Sequence, residues 1–499
     1  MPNELSPQAE GKATETVELD DFQKLLDKNF GIKDKADPKR ERIVTAVHSL
    51  AQQALVDTAL ISDDAYESIQ SIIAELDRKL SAQLNLILHH EDFKTLEGSW
   101  RGLHNLVSNT ETDEMLKIRV LNVTKKEVGK TLTKFKGTAW DQSPLFKKVY
   151  GDGYDKPGAA PYGCLIGDFY FDHTPPDVEI LNGIAQISAA CHCPFISGAG
   201  PTLMGMQSWQ EINNPRDLTK IFETPDYAPW KSLRESEDSR YIGLAMPRFL
   251  SRIPYGAKTN PVEEFAFEED AEGGDHSKYV WSNAAYAMGR NITNAFKLYG
   301  WCARIRGRES GGSIEGLPCH TFPTDDGGID MKCPTEIAIG DRREKELAKN
   351  GLMPFSHYHN TDFAVFMGAQ SLQKPQAYYE ADATANANLS ARLPYLFAAC
   401  RFAHYLKCMV RDKIGSYMER GDMEAWLNNW IQNYTVANPQ DVGEETKAKK
   451  PLAAANAVVE EVEGDPGAYT AKFWLRPHFQ LESLNVSLRL VARLPSAKK

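Results

Sequence analysis

Period-two alternation between Tyr469 and Leu494 restricts the C-terminal part of this chain to half-buried strands. Tyr469, Ala471, Phe473 and Leu475 share one face of a run whose other face carries Thr470, Lys472 and Arg476. Leu484, Val486, Leu488, Leu490, Ala492 and Leu494 repeat the pattern opposite Asn485, Ser487, Arg489 and Arg493. Side chains two apart lie on one face of a strand, whereas a helix repeats after about 3.6 residues. Upstream, the Val-rich segment from Ala457 to Glu463 runs into Gly464-Asp465-Pro466-Gly467, a turn composition. The chain is therefore expected to end in two or three antiparallel strands. A strand at a sheet edge is a template for a strand of another chain.

The rest reads as strands alternating with helices, the pattern of a layered α/β body. Tyr162–Phe171, Pro194–Ser197 and Tyr241–Met246 are expected as strands, together with Leu116–Val123, Thr335–Ile339, Phe355–Tyr358 and Phe363–Phe366. Helices are expected over the stripe Ile43, Val47, Leu50 and Ala54, from Ser62 to Ile87, and from Phe93 to Val107. Further helices are expected at Asp177–Ala190, Trp281–Trp301, from Asp341 to Asn350, and in a long region from Asn386 that Pro394 should kink or split. One more amphipathic stretch covers Glu424–Tyr434, and Asn438–Pro451 reads as a polar linker. Near the front, Phe22, Leu25, Leu26 and Phe30 form a short amphipathic helix, with a polar acidic stretch before it and the linker Ile32–Pro38 behind. Three regions result: an arm over 1–38, a helical region and α/β body over 39–375, and a long helix, linker and strands over 376–499.

Composition excludes several classes. No stretch approaches the roughly 20 apolar residues of a membrane helix, and the N-terminal residues carry neither the positive nor the apolar part of a secretory signal. A net charge of −11 opposes nucleic-acid binding. The eight cysteines are scattered and are read as reduced thiols of a cytoplasmic protein.

Candidate chemistry is sparse. Cys191-His192-Cys193 is the most metal-like cluster, but three adjacent donors do not converge easily on one ion and no second pair sits at zinc-finger spacing. His357 and His359 are expected to share a strand face, without a visible third ligand. The glycines 307, 311, 312 and 316 are not followed by Gly-Lys-Ser/Thr, and Gly129-Lys130-Thr131 lacks the preceding loop glycine. No cofactor is implied. The run Arg342-Arg343-Glu344-Lys345-Glu346 is either a solvated helix face or a partner-binding basic patch.

Longer runs carry a resemblance. Trp301-Cys302-Ala303, Gly311-Gly312, Glu315-Gly316-Leu317-Pro318 and Cys333-Pro334-Thr335-Glu336-Ile337 are among them. So are the run from Asp341 to Leu347, Leu389 to Tyr395, Arg401-Phe402-Ala403-His404-Tyr405-Leu406-Lys407, and Leu475 to Glu482. From about residue 60 onward, in consistent order, these stretches resemble the large subunit of the type VI secretion contractile sheath (the TssC/VipB family). The resemblance implies a non-enzymatic structural protein with a fold similar to phage tail sheaths. It implies a heterodimer with a small sheath subunit, polymerised into a helical tube around an inner tube on a baseplate in the bacterial cytoplasm. It also implies recycling by an AAA+ unfoldase that engages a short N-terminal helix, for which Phe22, Leu25, Leu26 and Phe30 are the expected contacts. Leu484, Val486, Leu488 and Leu490 are the expected inter-protomer strand, and Arg342, Arg343 and Lys345 a candidate subunit or inner-tube contact. Set beside this is a second reading, a metalloenzyme or hydrolase using His357, His359 or Cys193.

Overall fold

A computed structural model describes residues 65–481 apart from 216, 264, 272–274, 325, 437 and 463–468. The expected helix at Phe22–Phe30, the stripe from Ile43 to Ala54 and the strand Leu484–Leu494 lie outside the described residues. The chain divides into two compact units.

The first unit, among described residues, is 65–90 with Pro254–Asp270. Its helix α1 (Ala65–Leu88) confirms the 3.6-residue pattern. Asn85 fastens the helix to the other segment: its amide donates to the Glu268 carbonyl at 3.1 Å and its oxygen accepts from Asp270 N at 2.9 Å. Ile73, Leu86 and Ile87 are exposed on α1.

The second unit opens with α2 (Glu91–Ser108), whose first turn carries Glu91 and Asp92, favourable beside the positive helix end. Two glycines let α2 approach its neighbours. A Cβ on Gly98 would sit 2.4 Å from the Trp281 carbonyl oxygen, and one on Gly102 would sit 2.5 Å from the Tyr286 ring. On the same helix Glu97 holds two guanidinium groups, with Arg252 Nε and Arg101 Nε each 2.6 Å from Oε1.

Leu116–Val123 is not a strand. Its period-two pattern leaves Leu116 and Ile118 half-buried, but Val120 and Leu121 are exposed and no ladder partner lies beside it among the described residues. Helix α3 (Lys125–Lys134) then starts at a reciprocal capping box between Thr124 and Glu127.

The sheet is laid down by β1 (Leu165–Phe171), α4 (Pro175–Cys191) and β2 (Phe195–Ala199), a βαβ unit. Helix α5 (Ala228–Glu235) leads into β3 (Ile242–Met246). A small antiparallel pair, β4 (Phe249–Leu250) and β5 (Trp281–Ser282), precedes α6 (Ala284–Tyr299), which Asn283 caps and Gly300 ends at φ +76°. There follow β6 (Ser313–Ile314), a hairpin of β7 (His320–Pro323) and β8 (Ile329–Lys332), and α7 (Asp341–Lys349). Strands β9 (Leu352–His357) and β10 (Ala364–Phe366) complete a six-stranded sheet of order β1-β2-β3-β9-β10-β6. The first four strands run parallel and the last two pair antiparallel. Thr335–Ile339, expected as a strand, makes only an isolated bridge from Thr335 to Phe249.

Both faces of the sheet are covered, which explains why its strands read as continuous apolar runs. Ile242, Leu244 and Met246 of β3 join the core beneath α4, with Leu181 and Ile184. Ala245 joins the opposite core with Ala285, Met288 and Phe355. Each large apolar side chain buried this way contributes about 1.5–3 kcal/mol.

The remaining elements are α8 (Ala381–Ser390), α9 (Leu393–Lys413), α10 (Arg420–Gln432), α11 (Glu444–Lys449), β11 (Leu452–Glu461) and β12 (Tyr469–Pro477). Pro394 splits the long helix as expected and sits in the first turn of α9, where its missing N–H costs nothing. The expected linker Asn438–Pro451 contains α11. No described helix is long and apolar enough to cross a membrane.

Candidate functional site

The alternation at Tyr469–Arg476 does form a strand. β11 and β12 make a separate two-stranded antiparallel ribbon, with Ala455 opposite Leu475, Ala457 opposite Phe473 and Val459 opposite Ala471. Their inward side chains close a third core with Trp301, Phe402, Leu406, Leu427 and Ile431. Phe402 stacks on Trp301 with centroids 4.3 Å apart and meets Trp430 and Tyr434 edge-on. On the other face Val458 and Trp474 are exposed, and Lys472 pairs with Glu460 across the strands.

The two edges of the ribbon differ. On β11 four of the outward backbone groups are taken by side chains of α10. Gln432 Nε2 donates to Ala455 O at 3.2 Å, and Asn428 both donates to Ala457 O at 2.8 Å and accepts from Ala457 N at 2.9 Å. Val459 N donates to Glu424 Oε2 at 3.0 Å. At the start of β11, Leu452 exchanges backbone bonds with Tyr434 and Val436 at 3.2 Å each. Opposed residues in an antiparallel pair share their orientation, so Ala471, Phe473 and Leu475 turn their N–H and C=O groups away from β11. Those groups have no hydrogen-bond partner among the described residues. An unpaired edge of this kind is a template for strand pairing.

Beyond β12 the chain is held at Gln480. Its side chain donates to Ala303 O at 2.8 Å and accepts from Arg306 Nε at 2.7 Å, while its backbone N–H donates to the Tyr395 hydroxyl at 2.9 Å. Phe479 and Leu481 on either side are exposed.

The other singled-out residues lie apart from the ribbon. Cys191 ends α4, His192 occupies the left-handed cap position at φ 50°, and Cys193 N bonds back to Ser188 O. That cluster is thus a helix terminus. Cys193 is fully buried, and burial pushes its thiol well above the ordinary range. His357 and His359 do not share a strand face: β9 stops at His357, and His359 is exposed in the turn that follows. His357 Nε2 donates to Thr361 O at 2.8 Å. Burial pulls its pKa down, against the effect of that carbonyl. No three His, Cys, Asp or Glu side chains are grouped to hold a metal ion among the described residues. The glycine-rich loop serves close backbone packing: a Cβ on Gly311 (φ +86°) would lie 2.4 Å from Arg304 O, and Phe366 N bonds Gly312 O at 3.0 Å.

The basic run is helical, in α7. Arg342 is exposed and pairs with Glu346 at 3.0 Å. Arg343 turns inward, 2.6 Å from Glu346, and donates to the carbonyls of Asn213 and Pro215. Arg342, Lys345 and Lys349 border an open cleft that also contains Asp217 and Glu223.

Helix α9 is seated on α4 by His404, whose Nε2 donates to Cys191 O at 2.8 Å, with Lys407 Nζ 3.6 Å from the Tyr154 ring centroid. Burial drives the His404 pKa down to about 4, against the Cys191 carbonyl. The folded value lies below the ordinary 6.5, so the unfolded chain takes up this proton first. His404 should therefore contribute a stability loss of about 3 kcal/mol as pH falls from 6.5 to 4, and none further below. Urea midpoints across this range should fall less steeply for His404→Gln. An unchanged slope would remove His404 from the acid response.

Known proteins are similar to this sequence. The VipB family described as EvpB/VC_A0108, tail sheath N-terminal domain, matches residues 70–373, and the EvpB/VC_A0108 tail sheath gpW/gp25-like domain matches residues 382–494. The type VI secretion system sheath protein TssC1 of Pseudomonas aeruginosa is 67% identical over 491 residues, 98% of either chain. Two solved structures share 9% identity. A chain of the anti-feeding prophage baseplate aligns over 76% of this chain and 83% of its own, with a TM-score of 0.37. A chain of the contracted PVC sheath complex, from an extracellular contractile injection system, aligns over 62% and 68%, with a TM-score of 0.32. With both family domains matched in order and the relative aligned over nearly its full length, the chain belongs to the VipB/EvpB tail-sheath family, as a large subunit of the type VI secretion contractile sheath.

Proposed function

We propose that this chain works without enzymatic chemistry. It pairs with a small sheath subunit, polymerises on a baseplate in the bacterial cytoplasm into a helical tube around an inner tube, and contracts to propel that tube. The observation that carries this reading is the ribbon with one closed and one open edge. A strand from a neighbouring chain that adds to β12 makes a heterologous contact, and repetition of such a contact builds a helical filament. Main-chain ladders between neighbours persist while the bodies rotate, because short segments outside the ribbon absorb the change.

Ala471 supplies the test, because its N–H faces the open edge and not β11. Ala471→Pro removes one donor for the incoming strand while keeping the β11–β12 ladder. Co-expressed with the small subunit, this variant is expected to fold and to build no tubes visible by electron microscopy. Normal tubes would sink the reading.

A second part of the proposal concerns disassembly. The amphipathic stretch Phe22, Leu25, Leu26 and Phe30 has the anchor spacing of helix-in-groove recognition and is assigned as the handle of the AAA+ unfoldase. Leu25→Asp with Leu26→Asp is expected to leave assembly and contraction intact while contracted tubes persist. Dismantling at the wild-type rate would place the handle elsewhere.

A further inference from the structure

The closed edge of β11 is built from a helix that imitates a strand. Four residues of α-helix rise about 6.0 Å, and two residues of strand advance about 6.6–6.8 Å. A helix laid antiparallel to a strand can therefore offer a side chain from every fourth position to every second residue. It falls out of step by only about 0.7 Å each time. Glu424, Asn428 and Gln432 of α10 meet Val459, Ala457 and Ala455 of β11 in this way. Between them Leu427 and Ile431, both fully buried, hold the helix against the ribbon. The backbone bonds of Leu452 to Tyr434 and Val436 continue the cover to the start of the strand.

We propose that Glu424, Asn428 and Gln432 are an edge lock that determines the specificity of assembly: they make strand addition to the ribbon one-sided. The inference rests on the reading that β12 accepts a strand from a neighbour. A ribbon with two open edges has two competing acceptors, and a donor strand that reaches the wrong one starts a stack of ribbons in place of a helical lattice. Side chains suit this task better than another strand does, because they occupy four donors and acceptors along β11 without presenting a new edge. Asn428 is the centre of the lock: its amide alone satisfies both groups of one residue, Ala457. A carboxamide offers a donor on its nitrogen and an acceptor on its oxygen in one planar group, which matches the N–H and C=O of a single strand residue.

The test uses the full-length chain carrying Asn428→Ala with Gln432→Ala, alone and co-expressed with the small subunit. With the lock open, the chain alone should form concentration-dependent oligomers by sedimentation, in which the Ala457 amide regains protection from hydrogen exchange. The yield of regular tubes should fall by about tenfold, the scale of losing one discriminating contact. Gln432→Ala by itself frees only Ala455 O and keeps Asn428 in place, so it gives a folded comparison if the double variant loses the ribbon. It should show the same oligomers at lower abundance. A folded double variant, or a folded Gln432→Ala chain when the double variant unfolds, that stays as monodisperse as the parent and builds tubes in parental yield overturns the lock. Ala471→Pro separates the two ideas. If Ala471→Pro builds normal tubes, the β12 reading itself fails. If it builds none while the lock variants behave as the parent, only the lock fails.

Discussion

Phe402→Ala should destabilise the C-terminal module by about 3–5 kcal/mol, the range for removing a buried aromatic ring. The side chain is fully buried, stacks on Trp301, and touches Trp430 and Tyr434 edge-on, so its removal leaves a cavity walled by rigid aromatic rings. This ring lies in the core that seats the ribbon, with Leu427 and Ile431 of α10 and Ala457 and Val459 of β11. The loss should appear as a lowered urea midpoint in tryptophan fluorescence, and tube formation should fail with it. A change below about 1 kcal/mol would mean that this core does not hold the ribbon.

Glu97→Ala is expected to cost a similar amount, about 3–5 kcal/mol, because it takes the carboxylate from a guanidinium buried as deeply as Arg252. The geometry also fixes the pH response. Burial alone would raise the Glu97 pKa, but the bonds from Arg252 and Arg101 prevail and hold it below the ordinary 4.5. A depressed carboxyl contributes its stability in full above the unfolded value and loses it as pH falls through the folded one. The parent should therefore lose this contribution below pH 4.5, and Glu97→Ala should lack that part of the acid transition. Equal acid titrations of parent and variant would contradict the assignment.

The sequence revealed faces more readily than edges. Ala471, Phe473 and Leu475 announced a strand because one side of β12 meets a core, and burial on one side leaves a period of two. The same pattern misled at Leu116–Val123, where half-burial of Leu116 and Ile118 imitates a strand without a ladder. Periodicity reports which side chains are covered and says nothing of hydrogen-bond partners. The lock escaped notice for this reason. Glu424, Asn428 and Gln432 look like the polar face of an amphipathic helix, and only the fold brings them to β11. The spacing of four residues was visible, but its match to a strand becomes meaningful once the two elements are known to lie side by side. His357 and His359 failed differently. Their shared face assumed that the strand continued, whereas β9 ends at His357 and Asn360 adopts φ 57° in the turn.

Hydrogen exchange at the amides of Ala471, Phe473 and Leu475 tests the central claim most directly. In the free chain these N–H groups face an open edge and should exchange quickly, while those of Ala457 and Val459, held by Asn428 and Glu424, exchange slowly. In tubes assembled with the small subunit, the three β12 amides should become protected to the level of the β11 amides. If they exchange as quickly in tubes as in the free chain, no strand is added at β12 and the sheath is held together by other contacts.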